Sequence, residues 1–364
     1  MKDIRKQNIG IINNSNAIII NGDVTIDNQV FQDIKNTFFE ILRGHFEKYS
    51  VIAVKKAKCE IEKCIKCILE KLLKEQQLCL IKKFQSISIQ VVLHDALVGY
   101  LSVEDEVIKD FIIDTLIDRL KVQNSSSECS IINEAIKIIP NLNTSTSSLI
   151  ALMNLRHQIV DNFSFMLEVY FHNLAPIVNN ACNINNTDIE YLIQSGCTHT
   201  INGIYNIESF ENHLLKQYDL FFRHKGDKEI LDKFKLIHPQ IMNKVNNLGT
   251  SMFCLNGHEQ RYWQFCDVNS SLFYNRLKSR RQEYLIPLIE ELKENTPLFT
   301  VTELRNYLCN INNNWNNVFS LLNNKKLLKE GLSIVGLYIG SKVISKCLHN
   351  SSLSISEISN PISL

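Results

Sequence analysis

Apolar positions change their spacing early in this chain. Over residues 8–28, NIGIINNSNAIIINGDVTIDN alternates short apolar runs with Asn-rich turns and reads as three short strands. Asn21-Gly22, set between Ala17–Ile20 and Val24–Ile26, carries the signature of a two-residue type I′ hairpin, which needs positive φ at both central positions. Alternation puts Ile18, Ile20, Val24 and Ile26 on one face of that ribbon. A ribbon of this size is marginal alone in water, so the pattern predicts a partner: the protein's own body, a second copy or another protein. Asn21, Gly22 and these four aliphatic residues are the candidate assembly or partner-binding site.

Beyond the ribbon, apolar residues recur at three and four, the spacing of amphipathic helices. Phe31, Ile34, Phe38, Ile41 and Leu42 make one stripe, and Ile61, Cys64, Ile65, Ile68, Leu69 and Leu72 resume it after a break near Gly44 or Ser50. Glu104 and Asp105 suit a helix N-terminus by their charge against the helix dipole. NSSSE at 124–128 and PNLNTSTSS from Pro140 interrupt the pattern, and Leu149 to Leu174 reads as one long helix ending before Pro176. Turn-rich segments fill 176–275. From Leu277 the pattern predicts further helices, a short apolar segment, a turn at Glu330-Gly331 and a closing helix, which together read as a winged-helix-like unit. A helical hairpin would give a similar pattern.

The fold class expected is therefore mainly α, with a short N-terminal β-hairpin tail and a multi-helix body. Its segments read as a tail over 1–28, a helical domain over 29–175, a turn-rich α+β region over 176–275, a helical or winged-helix-like domain over 276–348 and a flexible tail over 349–364.

Length and charge narrow the classes. A chain of 364 residues, 45% hydrophobic and 21% charged, can bury a core without disulfides. A net charge of +1 predicts no overall affinity for polyanions, so any nucleic-acid surface must be a local patch. Eleven cysteines without an even framework, and no apolar core behind MKDIRKQ, predict a cytoplasmic protein. The apolar run Leu332–Ile344 contains Lys342 and falls short of the roughly 20 residues that span a bilayer, so no membrane segment is expected.

Several motifs together carry a resemblance. The Asn/Gly/Asp-rich tail, TLIDRL, INEAIKIIPNL followed by LIALMNLRHQ, DIEYLIQSGC and LSIVGLYIG are similar to those of an uncharacterised family of cytoplasmic bacterial proteins of this length. The NGDVTI stretch also looks like the tails that lead bacterial conflict and antiphage proteins. That likeness implies a setting in defence and no particular chemistry.

Candidate chemistry is thin. Cys59, Cys64, Cys67 and Cys79 include one CxxC, but Cys64 shares a helical stripe with Ile61 and Ile68, where a thiol packs as a small apolar group. Cys254, His258 and Cys266 lie in a turn-rich stretch and lack a fourth ligand unless Cys197 or His199 folds across. Arg156 with His157, or His157 with Asp161 one turn later on the same helix face, could form an acid–base pair, yet no nucleophile stands beside them. Phosphate-loop, dinucleotide and HExxH signatures are absent from the sequence, and no cofactor is expected. Lys325, Lys326, Lys329 and Lys342 form a basic group at the winged-helix-like unit, where ammonium groups can meet phosphates.

The sequence thus predicts a non-enzymatic oligomeric adaptor or regulator working through its tail. The alternatives are a nucleic-acid-binding regulator using those lysines, or a toxin-like enzyme around His199, Cys254 and His258.

Overall fold

A computed structural model describes residues 17–20, 24–157, 164–201, 208–227, 253–256, 262–265 and 267–348, with positions 229, 232, 233 and 236. Most of these residues are helical, as the three-and-four spacing predicts. The chain divides into two compact units, Met1–Thr144 and Ser145–Leu364. The division falls inside the stretch read above as one helical domain.

The first unit opens with an antiparallel hairpin of β1 (Ala17–Ile20) and β2 (Val24–Asp27), followed without a linker by α1 (Asn28–Ile41). After a single turn, α2 (Arg43–Phe46), comes the long α3 (Val51–Lys74). Ser50 caps it by accepting from the Ala53 N–H, so the expected break near Gly44 or Ser50 is filled by one short helix and a cap. The predicted stripe on α3 faces the core in full, from Ile61 to Leu72. A bundle of α4 (Ile87–Ser102), α5 (Glu106–Lys121) and α6 (Ser127–Ile138) completes the unit. Asp105 starts α5, its carboxylate accepting from the Val107 N–H at 2.8 Å while also taking the Thr144 hydroxyl at 2.6 Å. Gly99 lets α4 close on Pro140, because a β-carbon there would overlap the proline ring.

In the second unit, α7 (Thr144–Asn154) is wholly buried from Thr146 onward. The helix expected to run unbroken to Leu174 stops here instead. Leu155, Arg156 and His157 turn back through i→i−3 hydrogen bonds, and the Arg156 guanidinium leaves the helix line to donate to the Leu322 carbonyl at 3.1 Å. A tertiary contact thus overrides the local period. The chain continues through α8 (Ser164–Asn173), α9 (Ala175–Ala181) and α10 (Asn186–Gln194), the last started by a reciprocal Asn185–Asp188 capping box. Next come β3 (Thr198–Thr200), α11 (Phe210–Gln217) and a small antiparallel sheet of order β4-β6-β5, made from Gly226–Asp227, Tyr262–Phe265 and Phe253–Asn256.

Two cores hold this unit. Leu220, Phe265, Phe273, Leu277, Leu285, Ile289 and Leu292 pack around α12 (Ser270–Ser279) and α13 (Ile286–Glu294). An aromatic core joins Phe171, Tyr218, Phe222 and Trp315 with ring centroids 6.0–6.3 Å apart, mostly edge to face.

The closing segment differs from the winged-helix expectation. It comprises α14 (Val301–Ile311), α15 (Trp315–Leu322), β7 (Glu330–Leu332) and α16 (Ile334–Leu348). Glu330-Gly331, read as a turn, is strand: β7 pairs with β3 through Thr198↔Leu332, His199↔Gly331 and Thr200↔Glu330. Among the described residues of 276–348 there is no wing hairpin. The reason lies in that ladder. The Ile201 N–H donates to the Lys329 carbonyl at 2.8 Å, the Ser333 N–H to the Cys197 carbonyl at 2.9 Å and the Thr200 hydroxyl to Glu330 Oε1 at 3.0 Å, pairing groups that a turn would leave to water. No helix among the described residues is long and apolar enough to cross a membrane.

Candidate functional site

The ribbon register is Ala17↔Asp27, Ile18↔Ile26, Ile19↔Thr25 and Ile20↔Val24. Residues that face each other across an antiparallel pair share a face, so Ile18, Ile26, Ile20 and Val24 fall together as alternation requires. Pairing Ile20 with Val24 leaves three connecting residues rather than the expected two. Asn21 and Gly22 lie outside the described residues, as does the first of the three expected strands. No other described strand pairs with β1 or β2.

At the other end of the chain, Lys325 and Lys326 follow α15 in a turn, and Lys329 ends a short 3-10 turn over Leu327–Lys329. All three are exposed. Lys326 is engaged by Glu190 of α10 at 2.5 Å, which removes one cation from the set. Lys342 lies on α16, a half-buried position on a different element. The four lysines therefore do not line one recognition helix.

Cys64, Cys67, Arg156 and His157, considered above for chemistry, sit in structural surroundings. Cys64 is buried on the α3 stripe, and burial pushes its thiol well above the usual range, leaving protonated sulfur packed among isoleucines. Cys67 is also pushed up, first by burial and then by Glu70. Arg156 lies over the Phe210 ring at 5.6 Å besides holding the Leu322 carbonyl, and its own carbonyl contacts His213 Nε2 at 2.9 Å. His157 presents area to solvent, yet it is held down to about 4 by the surrounding protein and then by His213, Arg156 and His199, so it stays neutral near pH 7. His199 is exposed on β3, opposite Gly331. Asp161, His258 and Cys266 lie outside the described residues, and of Cys254 only the strand pairing with Gln264 is described.

One polar cluster was not legible from spacing. Glu211, fully buried on α11, takes the Arg305 guanidinium through Nε at 2.7 Å and through Nη2, and its second oxygen accepts from Asn323 Nδ2 at 2.7 Å. Arg305 lies over Phe319, which packs on Phe210 beneath Arg156. Burial works to raise the Glu211 pKa, but hydrogen bonds led by Asn323 outweigh it and hold the carboxyl below its ordinary range. Its partners stand 94 and 112 residues away, so only the fold assembles them.

A family model described as ":-like" matches residues 30–356. The chain belongs to that family. The match covers the helical body from α1 through α16 and begins three residues after β2 ends. The Glu211–Arg305–Asn323 cluster and all four lysines fall inside it, and the ribbon falls outside. No curated protein and no solved structure matches the chain.

Proposed function

We propose that this chain is a non-enzymatic assembly protein, an adaptor or regulator of a bacterial defence system, that self-associates through its N-terminal ribbon. The observation that carries the reading is the register, which sets Ile18, Ile20, Val24 and Ile26 at positions of one face of a two-stranded sheet. A sheet of two short strands gains stability by adding strands or covering its apolar face. Ribbons from several copies meet both needs. Because β2 passes directly into α1, a contact made by the ribbon bears on the helical body without an intervening linker. Nine cysteines among the described residues are free thiols, which suits a reducing cytoplasm.

The test is the solution mass by light scattering of the full chain beside a chain beginning at Gln29. A defined oligomer reduced to a folded monomer by the deletion is the expected result. Equal masses overturn self-assembly through the ribbon. The defence assignment is tested apart from it, by plaque counts on cells with and without the chain, and equal counts across a phage panel overturn it.

A further inference from the structure

We propose that His45 and His94 form a two-imidazole site for a divalent transition-metal ion, with copper(II) or nickel(II) as the cations that fit best. His45 belongs to the single turn of α2 and His94 to the middle of α4, both in the first unit, and their Nε2 atoms stand 3.0 Å apart. The rings lie 4.9 Å apart at 44° to one another.

The separation is the first argument. Two imidazole nitrogens bound at about 2.0–2.1 Å stand about 2.9 Å apart when the ligand–metal–ligand angle is a right angle and about 3.3 Å apart when it is tetrahedral. The observed distance lies nearer the right-angle value, which square-planar or octahedral copper(II) and nickel(II) prefer.

An outer contact supports the same reading. His94 Nδ1 lies 3.3 Å from Asp95 Oδ1, so this nitrogen carries the proton that it donates to the carboxylate, leaving the Nε2 lone pair free toward His45. A carboxylate behind a ligating imidazole both orients the ring and raises its basicity. Partial exposure supplies the rest. The His94 side chain is 38% exposed, so the ring has room to turn and water can complete the coordination. Among the described residues no third His, Cys, Asp or Glu joins the pair, so the site is two-coordinate in protein ligands. Sequence spacing gives no sign of it, since 49 residues separate the two histidines. The proposal is independent of the ribbon.

The experiment is copper(II) titration of the full chain, followed by calorimetry and by electron paramagnetic resonance of the loaded protein. One high-affinity site whose spectrum shows coupling to two imidazole nitrogens is expected. Each of His45→Ala and His94→Ala is expected to weaken binding about 100-fold, the gain that a second linked ligand brings. Asp95→Asn is expected to weaken it about tenfold. If an alanine variant loses its helical circular dichroism, His45→Gln and His94→Gln carry the same comparison. Unchanged affinity in these variants, marking an adventitious surface histidine, overturns the proposal. So does the absence of a saturable site below millimolar copper, which leaves the pair as a hydrogen bond between the two rings.

Discussion

The backbone of Gly336, in the first turn of α16, lies directly against the carbonyl oxygen of Cys197, so close that a β-carbon at 336 would overlap it. One turn further, a β-carbon on Gly340 would meet the Asn154 β-carbon at 2.9 Å and the Ile150 carbonyl oxygen at 3.0 Å. Backbone atoms cannot yield as a side-chain tip can. Gly336→Ala is therefore expected to destabilise the second unit by about 1–3 kcal/mol, the usual cost of overpacking, and Gly340→Ala by somewhat less. Urea unfolding measures both. Gly44→Ala, with nothing within 4 Å of the added carbon, is the control that should not show this loss.

Glu211 sets an acid limit on stability. Its folded pKa lies below the ordinary glutamate value of 4.5, so the stabilisation is fully present above that value and is lost as pH falls through the folded one. Unfolding by urea between pH 6 and pH 3 should show the decline, and Glu211→Gln should flatten it. At neutral pH, Glu211→Ala should cost about 1–3 kcal/mol, because the half-buried Asn323 loses an acceptor while the partly exposed Arg305 recovers water. An unchanged midpoint in Glu211→Ala contradicts this account.

Cys64 should behave as a core residue. In the folded chain it is expected to resist alkylation while exposed Cys59 and Cys79 react, a contrast that mass spectrometry of iodoacetamide-treated protein resolves. Cys64→Ser should destabilise by about 1–3 kcal/mol, since it buries a hydroxyl among Ile61, Ile65 and Ile68. Rapid labelling of Cys64 without unfolding would count against its placement.

On the ribbon, Ile20→Lys combined with Val24→Lys places two like charges directly opposite on the proposed contact face. The oligomer is expected to dissociate while the helical circular dichroism of the body is retained. Replacing Ile19 and Thr25, the cross-strand pair on the opposite face, should leave the mass unchanged. Equal loss from both faces would show that side chains on one face are not what selects the partner.

Changing Lys325, Lys326 and Lys329 to Glu is expected to leave the light-scattering mass and any retention of duplex DNA unchanged, because Lys326 is held by Glu190 and Lys342 lies on another helix. A fall in DNA retention with a shallower dependence on salt would instead place phosphate contacts at this turn.

The helices were legible wherever one stripe meets one core. Phe31, Ile34, Phe38 and Leu42 are buried as their spacing requires, with Ile41 of the same stripe half-buried, and Asp105 starts its helix as its charge requires. What local pattern could not convey was pairing at long range. Leu149 to Leu174 keeps an apolar period that says nothing of Arg156 reaching for Leu322, and Glu330-Gly331 has the composition of a turn but serves as a strand because residues 198–200 offer it a ladder. The same holds for the chemistry. Glu211 finds Arg305 and Asn323, and His45 finds His94, across distances in sequence that no short motif spans.

That ladder between residues 198–200 and 330–332, reinforced by Asn154 donating to Ser341 at 3.0 Å, also orders events during synthesis. A ribosome that has extruded the first unit has supplied every contact within Met1–Thr144, so this unit is free to close while translation continues. The second unit has no such option. Its buried Asn154 and the strand Thr198–Thr200 wait for the last elements to leave the exit tunnel, and until then α7 must be kept from other hydrophobic surfaces. A nascent chain stalled before residue 330 should accordingly expose a protease-sensitive second half beside a resistant first.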